Sequence, residues 1–483
     1  MNLFSFIFLL LICFNYASSG SDIHIGYQFM VVVPVDYRVG FTGRAFLIES
    51  NETAPNFKVA LSVEAIDEKY SCSLQVFLGD VKVWDSGHET RFYTTEKCLI
   101  ELTQDGDLRL TGPEDRMGWK TGTSGQGVED DKSSLMIILC FLLCFNLKQR
   151  LQILRTGNLV LVDSLESIKW QSFNFPTDVM LWGQRLDVAT RLTSYQSNSS
   201  FFYSFEIENK GIAMYLNTGE LRYSYWEFKP SMNRNITFVK LGSRGLDLFG
   251  DNYKKIAQIP SLKGSPPLRF LALKNETGNF GLYYYSSEKA KFEASFQALN
   301  STCDLPIACR PYGICTFSNA CSCIRLLTKK NKGSSDCIED ISGGFCDGKE
   351  AEMLELENVG SVLKDDPTVV NISREACEDL CLQDCKCAAA LYFRNASNGV
   401  QECYLYRLVQ GLKQVEEGTG FSYMVKVPKG TGENDGPHNL KKWVFILVGA
   451  IDGLIILLIV GGVGYWMIRK KRNITLRSEV TTS

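Results

Sequence analysis

Across residues 20–300 the chain alternates apolar and polar side chains in runs of strand length, broken by turn pairs such as Asp105-Gly106 and Thr156-Gly157. A period of two sends one row of side chains to a core and the other to water, so this region is predicted to be all-β. Three stretches look like one another: SLQVFLGDVKVWDSG, ELTQDGDLRLTG and QILRTGNLVLVDS. A tryptophan accompanies each, at Trp84, Trp119 and Trp170. The alternation continues through Phe202–Tyr225 and Leu268–Tyr285. The period then changes: Glu375–Leu382 reads as helix, with Cys377 and Cys381 one turn apart on one face, and Ala388–Phe393 reads as strand. Two long apolar runs stand near the ends. Leu3–Phe14 is too short to span a bilayer, whereas the 26 residues of Trp443–Ile468 exceed the roughly 20 that a spanning helix needs.

These two runs suggest a topology. Small residues, Ala17-Ser18-Ser19, follow the first run, so residues 1–19 read as a secretory signal peptide, although no Lys or Arg precedes the run. Trp443, Tyr465 and Trp466 sit at the ends of the second run, and Arg469-Lys470-Lys471-Arg472 follows it. The expectation is a single-pass type I protein of the plasma membrane with its N-terminal domains extracellular. A juxtamembrane stalk at 427–442 leads to a transmembrane helix at 443–468 and a cytoplasmic tail at 469–483, too short to hold a kinase. Asp452 lies inside the span, where a carboxylate costs about 2.5–3.5 kcal/mol. Gly449 and Gly453 flank it and permit close backbone approach, so these three residues are candidates for pairing with another membrane helix. Seven N-x-S/T sequons, at Asn51, Asn198, Asn235, Asn275, Asn300, Asn371 and Asn395, fit a glycosylated exterior.

Composition narrows the chemistry. A net charge of −3 argues against nucleic acid as a partner, and 3 histidines in 483 residues leave no HExxH or His-rich metal site. With no nucleophile elbow and no Gly-rich phosphate loop, the chain is read as no enzyme, with no cofactor and no metal. Of the 17 cysteines, twelve crowd between Cys303 and Cys403, which reads as a disulfide scaffold made in an oxidising compartment. Cys13 leaves with the signal peptide, and Cys140 and Cys144 lie in an apolar run of their own. Cys72 and Cys98 form a natural pair. Six more cysteines lie at Cys303–Cys337 and six at Cys346–Cys403, where spacing alone leaves the pairing open. A zinc reading of Cys321-x-Cys323 or Cys385-x-Cys387 is poor, because structural zinc prefers wider spacing.

The segment CDLPIACRPYGICTFSNACSCI, which opens the Cys303–Cys337 group, resembles the EGF-like module of the plant S-locus glycoprotein and S-receptor-like (G-type lectin) family. That resemblance implies Cys303–Cys315, Cys309–Cys321 and Cys323–Cys337, and no calcium. SREACEDLCLQDCKCAAALY is similar to the PAN/apple module of the same family, which implies Cys377–Cys403 and Cys381–Cys387. Cys346 and Cys385 are then paired by exclusion. The threefold stretches with their tryptophans resemble bulb-type mannose-binding lectins, and WQSFNFPTDVML matches a phrase typical of S-locus glycoproteins. The implied fold class is mainly all-β. It comprises tandem β-prism domains, bulb-lectin-like, at 20–190 and 191–302, a small disulfide-rich EGF-like module at 303–337, an α+β PAN/apple module at 346–426 and the membrane helix.

The sugar strand of those lectins is written QxDxNxVxY, polar side chains converging from one face of a strand. All three copies have decayed. The first keeps Gln75 and Val81; the second offers Thr103, Asp105, Asp107, Arg109 and Thr111; the third offers Leu154, Thr156, Asn158, Val160 and Val162. The loss favours a structural prism that binds no mannose, with Asp105, Asp107, Asn158 and Gln75 as the candidate degenerate site. Tyr223, Tyr225 and Trp226, or Tyr283, Tyr284 and Tyr285, are either a binding platform or core. The resemblance implies a kinase-less, receptor-like glycoprotein for extracellular recognition of a glycan or protein ligand, signalling through a receptor kinase or other single-pass partner. The alternative is a structural cell-wall-associated glycoprotein that binds polysaccharide weakly. Residues 130–149, DDKSSLMIILCFLLCFNLKQ, read as a foreign insertion, because their removal restores the tryptophan spacing and joins GVE to RLQILRTGNLVLVD. A run of Leu, Ile, Phe and Cys ending in Gln is what a translated pyrimidine-rich intron end would give.

Overall fold

The computed structural model describes residues 22–33, 40–50, 55–66, 69–127, 150–194, 200–231, 234–261, 268–324, 345–346, 348, 350–394, 399–418, 420–429 and 457–469. The first domain consists of three antiparallel sheets. One runs Thr42–Glu49, Phe57–Ile66, Lys69–Leu78, Val81–Asp85, with Phe92–Thr94 added beside Lys69–Leu78. The second runs Met117–Lys120, Leu108–Thr111, Lys97–Leu102, Gln28–Val32, and the third Ile23–His24, Arg150–Ile153, Leu159–Val162, Ile168–Gln171. The N-terminal strands therefore complete sheets whose other strands lie far along the sequence. Cys72–Cys98 ties the first sheet to the second.

Each sheet carries one tryptophan of the repeat on an outer strand, and the three indoles meet edge to face. Ring centroids are 6.0 Å apart for Trp84–Trp119, 5.7 Å for Trp84–Trp170 and 5.6 Å for Trp119–Trp170. A register shift in the last hairpin of every sheet sets this geometry. It falls between Val76 and Phe77, between Met117 and Trp119, and between Leu161 and Val162, and the residue paired just beside it is Trp84, Trp119 or Trp170. A bulge adds twist and re-aims the strand. Two residues after each tryptophan a hydroxyl caps a leucine amide of the neighbouring strand: Ser86 accepts from Leu74, Thr121 from Leu108 and Ser172 from Leu159.

The second domain repeats the plan. Its sheets run Val179–Leu181, Arg269–Leu273, Phe280–Ser286, Lys291–Gln297; then Arg185–Asp187, Phe238–Gly242, Gly245–Phe249, Lys255–Pro260; then Leu192–Thr193, Phe201–Glu208, Gly211–Thr218, Leu221–Phe228. Again the last hairpin of each sheet shifts register, at Met214/Tyr215, Leu248/Phe249 and Leu282/Tyr283. The residues standing where the tryptophans stand in the first domain are Trp226, Ala257 and Phe296. One large indole is kept and two are replaced, which is why no threefold pattern is visible there in the sequence. Two strands of this domain lie upstream of the boundary expected at residue 191. The physical reason is alternation: Val179 and Leu181 face the first domain's core while Met180 faces the second's. One strand thus seals both domains.

The remaining modules pack onto the second domain in a shared hydrophobic cluster. A four-stranded sheet mixes them: Gly313–Cys315 pairs with Cys321–Cys323 and, in parallel, with Leu412–Gln414, which pairs with Val359–Ser361. A five-stranded sheet runs Ala351–Leu356, Phe421–Pro428, Ala389–Arg394, Gln401–Tyr406, Val369–Val370. The helix Arg374–Gln383 lies against it, N-capped by the Ser373 hydroxyl, which accepts from the Ala376 amide at 3.2 Å. At its other end the buried Lys426 ammonium donates to the carbonyls of Cys381, Leu382 and Asp384 at 3.0, 3.1 and 3.0 Å. That cation satisfies the carbonyls that a helix C-terminus leaves open. Disulfides join Cys303–Cys315, Cys309–Cys321, Cys346–Cys385, Cys377–Cys403 and Cys381–Cys387. Cys323 is disulfide-bonded, and Cys337 lies outside the described residues.

Several expectations fall outside the described residues: the signal peptide, the stalk from residue 430 on, Gly449, Asp452 and Gly453, sequons Asn51, Asn198 and Asn395, and residues 130–149; the first stalk residues, Val427 and Pro428, instead close the strand Phe421–Pro428. Among the described residues no helix is long and apolar enough to cross a membrane. Residues 457–469 are helical, with exposed apolar side chains including Leu457, Leu458 and Ile459. Of the described sequons, Asn235, Asn300 and Asn371 are exposed and Asn275 is half-buried.

Trp119→Ala removes one corner of the indole triangle, and loss of a packed tryptophan costs about 3–5 kcal/mol. Chemical denaturation should show a loss of that order, whereas Trp226→Ala, with no indole neighbour in its triad, should cost less. Deletion of 130–149 should leave the melting temperature unchanged or raise it, since the third sheet closes through Arg150, whose guanidinium meets Asp22 at 3.0 Å and Glu166 at 2.7 Å. A large fall in melting temperature, or abundant natural peptides covering 134–148, would refute the insertion.

Candidate functional site

The candidate sugar residues sit on the strands that pair with the tryptophan strands, or in the turns just before them, and apart from the buried Gln75 Oε1 their side-chain polar atoms hydrogen-bond within the fold. Asp107 is 1% exposed. One carboxylate oxygen accepts from the Thr121 hydroxyl at 2.8 Å, the Gly122 amide at 2.7 Å and the Thr123 amide at 3.2 Å; the other accepts from Arg109 Nε at 3.0 Å. It therefore holds the segment that follows Trp119. Burial pushes its carboxyl up, but the bonds from Arg109, Thr121 and the two amides outweigh this and hold it below the ordinary range. Asn158 does the same work in the third copy: its oxygen accepts from the Ser172 hydroxyl and the Phe173 amide, both at 3.2 Å, and its amide donates to Gln171 at 2.8 Å.

Asp105 is half-exposed but equally occupied. One oxygen accepts from the Thr103 hydroxyl, the other from Ser124 at 2.6 Å and Arg109 at 2.8 Å. The Ser124 and Thr103 hydroxyls, then the Arg109 guanidinium, hold its pKa at about 2. Gln75 is buried and donates to Ser73 and to Asp85, each at 3.0 Å. The bulge corrects its register. Counting from Val76, Leu110 and Leu161, Gln75 stands level with Arg109 and Val160, not with Thr103 and Leu154; Ser73 is level with Asp107 and Asn158. The motif letters had suggested the other alignment, and the Leu74 amide bonded to Ser86 fixes this one. The four candidates thus fall in three copies, and of them only Asp105 and Asp107 come together, through the Arg109 guanidinium they share.

The aromatic candidates divide. Tyr223 and Tyr225 are core residues: the Tyr225 hydroxyl donates to the Gly278 carbonyl at 2.6 Å, and the Tyr223 oxygen accepts from the Arg407 amide at 3.2 Å. Tyr223 also packs on Tyr406, with ring centroids 5.7 Å apart. Trp226, Tyr283, Tyr284 and Tyr285 are half-buried, and Tyr283 stacks on Phe270 at 5.1 Å. Alternation marks core packing at Tyr223 and Tyr225, and Trp226 and Tyr283 pack against the core from its edge. The segment WQSFNFPTDVML is a structural joint: Phe175 stacks on Trp170 at 5.8 Å, and its carbonyl accepts from Trp84 Nε1 at 2.9 Å.

Residues 355–426 match the PAN domain. The chain is 22% identical over 414 residues to the G-type lectin S-receptor-like serine/threonine-protein kinase SD2-5 of Arabidopsis thaliana, covering 81% of this chain and 46% of that protein. It is 24% identical over 393 residues to the PAN domain-containing protein At5g03700 and 25% identical over 377 residues to EP1-like glycoprotein 3, both of Arabidopsis thaliana. These matches cover 77% and 72% of this chain, and 73% and 78% of the relatives. Its homologues are G-type lectin S-receptor-like kinases and EP1-like glycoproteins. The chain spans under half the length of the first two kinase relatives it matches. Its structural neighbours are bulb-type mannose-binding lectins. They include a monomeric monocot lectin of Gastrodia elata, 17% identical over 26% of this chain and 94% of that one, TM-score 0.16. Another is a two-domain fetuin-binding lectin of Scilla campanulata, 13% identical over 51% of this chain and 92% of that one, TM-score 0.17.

The occupied Asp105 makes a pH signature. Its folded pKa lies below the ordinary 3.8, so its contribution is complete above that value and is lost as pH falls from 3.8 towards about 2. Melting temperature should therefore drop through this window, and Asp105→Asn should flatten the slope. An unchanged slope would show that the Ser124 and Arg109 bonds do not persist in solution.

Proposed function

We propose that this chain is the recognition exterior of a cell-surface, receptor-like glycoprotein whose two three-sheet domains are tandem bulb-lectin-like prisms working as a scaffold rather than as mannose sites. The observation that carries this reading is the engagement of Asp107 and Asn158 inside the fold. A carboxylate with four donors already in place has no capacity left to reward a sugar hydroxyl, and a convergent site loses about 1 kcal/mol with each missing bond. A glycan or protein ligand then meets other faces of the prisms, the EGF-like module or the PAN domain. The kinase relatives support a receptor kinase, or another single-pass protein, as partner. The exposed apolar helix at 457–469 supports a membrane tether.

The EP1-like glycoproteins favour a second reading. The match covers 78% of EP1-like glycoprotein 3 but 46% of SD2-5. That second reading is a structural, wall-associated glycoprotein with weak polysaccharide binding. Calorimetry on the full chain in lipid nanodiscs should show no saturable heat with mannose, in the original protein or in Asp105→Ala. Co-purification from membranes should recover a single-pass protein under the first reading and wall polysaccharide under the second. Saturable millimolar mannose binding that is lost in Asp105→Ala would overturn the scaffold reading.

A further inference from the structure

We infer that the junction of the second domain, the segment after Cys303 and the PAN domain holds a binding site for a small amphipathic organic anion. A cavity of about 790 Å³ opens there, within the roughly 300–1,000 Å³ typical of small-molecule sites. Phe201 and Leu216 of the second domain, Ile307 and Tyr312 after Cys303, and Leu408 and Val409 of the PAN domain form apolar walls. The charged members of the lining are Arg310, Lys386 and Arg407, with no Asp or Glu among the described lining residues. An apolar wall beside cations of one sign focuses a positive field into the cleft. This pairing selects a ligand with an apolar body and one anionic group, and disfavours a neutral sugar, which needs many converging polar atoms.

Two further observations support a built site. Lys386 and Arg407 are exposed at the rim, and no described ion pair engages either ammonium or guanidinium. The acid nearest Lys386 in sequence, Asp384, does not line the cleft; it accepts from the Lys386 amide at 2.9 Å. The walls are also fixed in place. Gln410 is buried and donates to the Cys309 carbonyl at 2.6 Å, joining two modules across the cleft, and Cys346–Cys385 anchors another side. A preformed pocket spares the ordering cost that a flexible one incurs on binding.

The test uses the full chain in lipid nanodiscs, with empty nanodiscs subtracted, and two probes of one shape: naphthalene-2-sulfonate and its neutral counterpart naphthalene-2-methanol. Calorimetry should give saturable one-to-one binding of the sulfonate and weaker binding of the alcohol. The double variant Lys386→Gln/Arg407→Gln should keep its melting temperature, weaken the sulfonate by about tenfold or more and leave the alcohol unchanged. Ala388→Trp, which fills the cavity, should weaken both probes. The proposal is overturned if the sulfonate shows no saturable heat, if the double variant binds it as well as the original, or if the alcohol binds equally tightly. A positive mannose titration would leave this outcome untouched, so the two readings fail separately.

Discussion

The contact of three indoles at the middle of the first domain is the constraint on which its architecture rests. Trp84, Trp119 and Trp170 come from three different sheets, and each lies on an outer strand. Edge-to-face aromatic contacts contribute about 0.5–1.5 kcal/mol each beyond the area they bury. Their geometric effect is larger than that sum, because no sheet can rotate without opening two contacts. The bulge beside each tryptophan turns the ring inward, and the hydroxyl two residues later pins the strand. The unit of the repeat is therefore indole, bulge and hydroxyl cap together.

In the second domain the same unit has lost two of its three indoles, one to Phe296 and one to Ala257, and stability is drawn from elsewhere. Trp226 packs on Phe280 at 6.2 Å, and Phe280 stacks on Phe205 at 4.5 Å, so the core is rebuilt from phenylalanines one layer away. The other source is the PAN domain. Tyr223, Tyr406 and Tyr423 form a continuous aromatic row between the two, and the Ser224 and Lys364 backbones bridge in both directions. A domain with a weakened centre that shares a core with its neighbour is not an independent bead. The second domain, the segment after Cys303 and the PAN domain form one packed body.

The sequence was legible where a local pattern and the tertiary requirement coincide. Three tryptophans at similar spacing mark three sheets because each sheet needs one indole. Cys377 and Cys381 mark the helix because both must face the sheet that holds Cys403. It was illegible where pairing is decided at a distance. Strands of two or three residues, such as Ile23–His24, Gly313–Cys315 and Leu412–Gln414, carry too little pattern to announce their partners. The bulges leave no letter of their own and so hide the register of Gln75, while the strand Val179–Leu181, shared between two cores, hides the boundary that the sequence places at residue 191.

The candidate sugar residues show why motif letters alone cannot separate binding from folding. Asp and Asn beside a Gly are what a sugar strand needs, since their oxygens accept from hydroxyls. They are also what a tight turn needs, since the same oxygens accept from amides that the turn exposes. Asp107 and Asn158 meet the second requirement, each holding the chain just after a tryptophan of the triad. Their oxygens cannot serve both purposes at once, because a donor that completes the core is available at every moment and a sugar only on encounter. In a domain whose turn carboxylate and turn amide lock its own centre, the surfaces left unlocked are its rims, its loops and the clefts where modules meet.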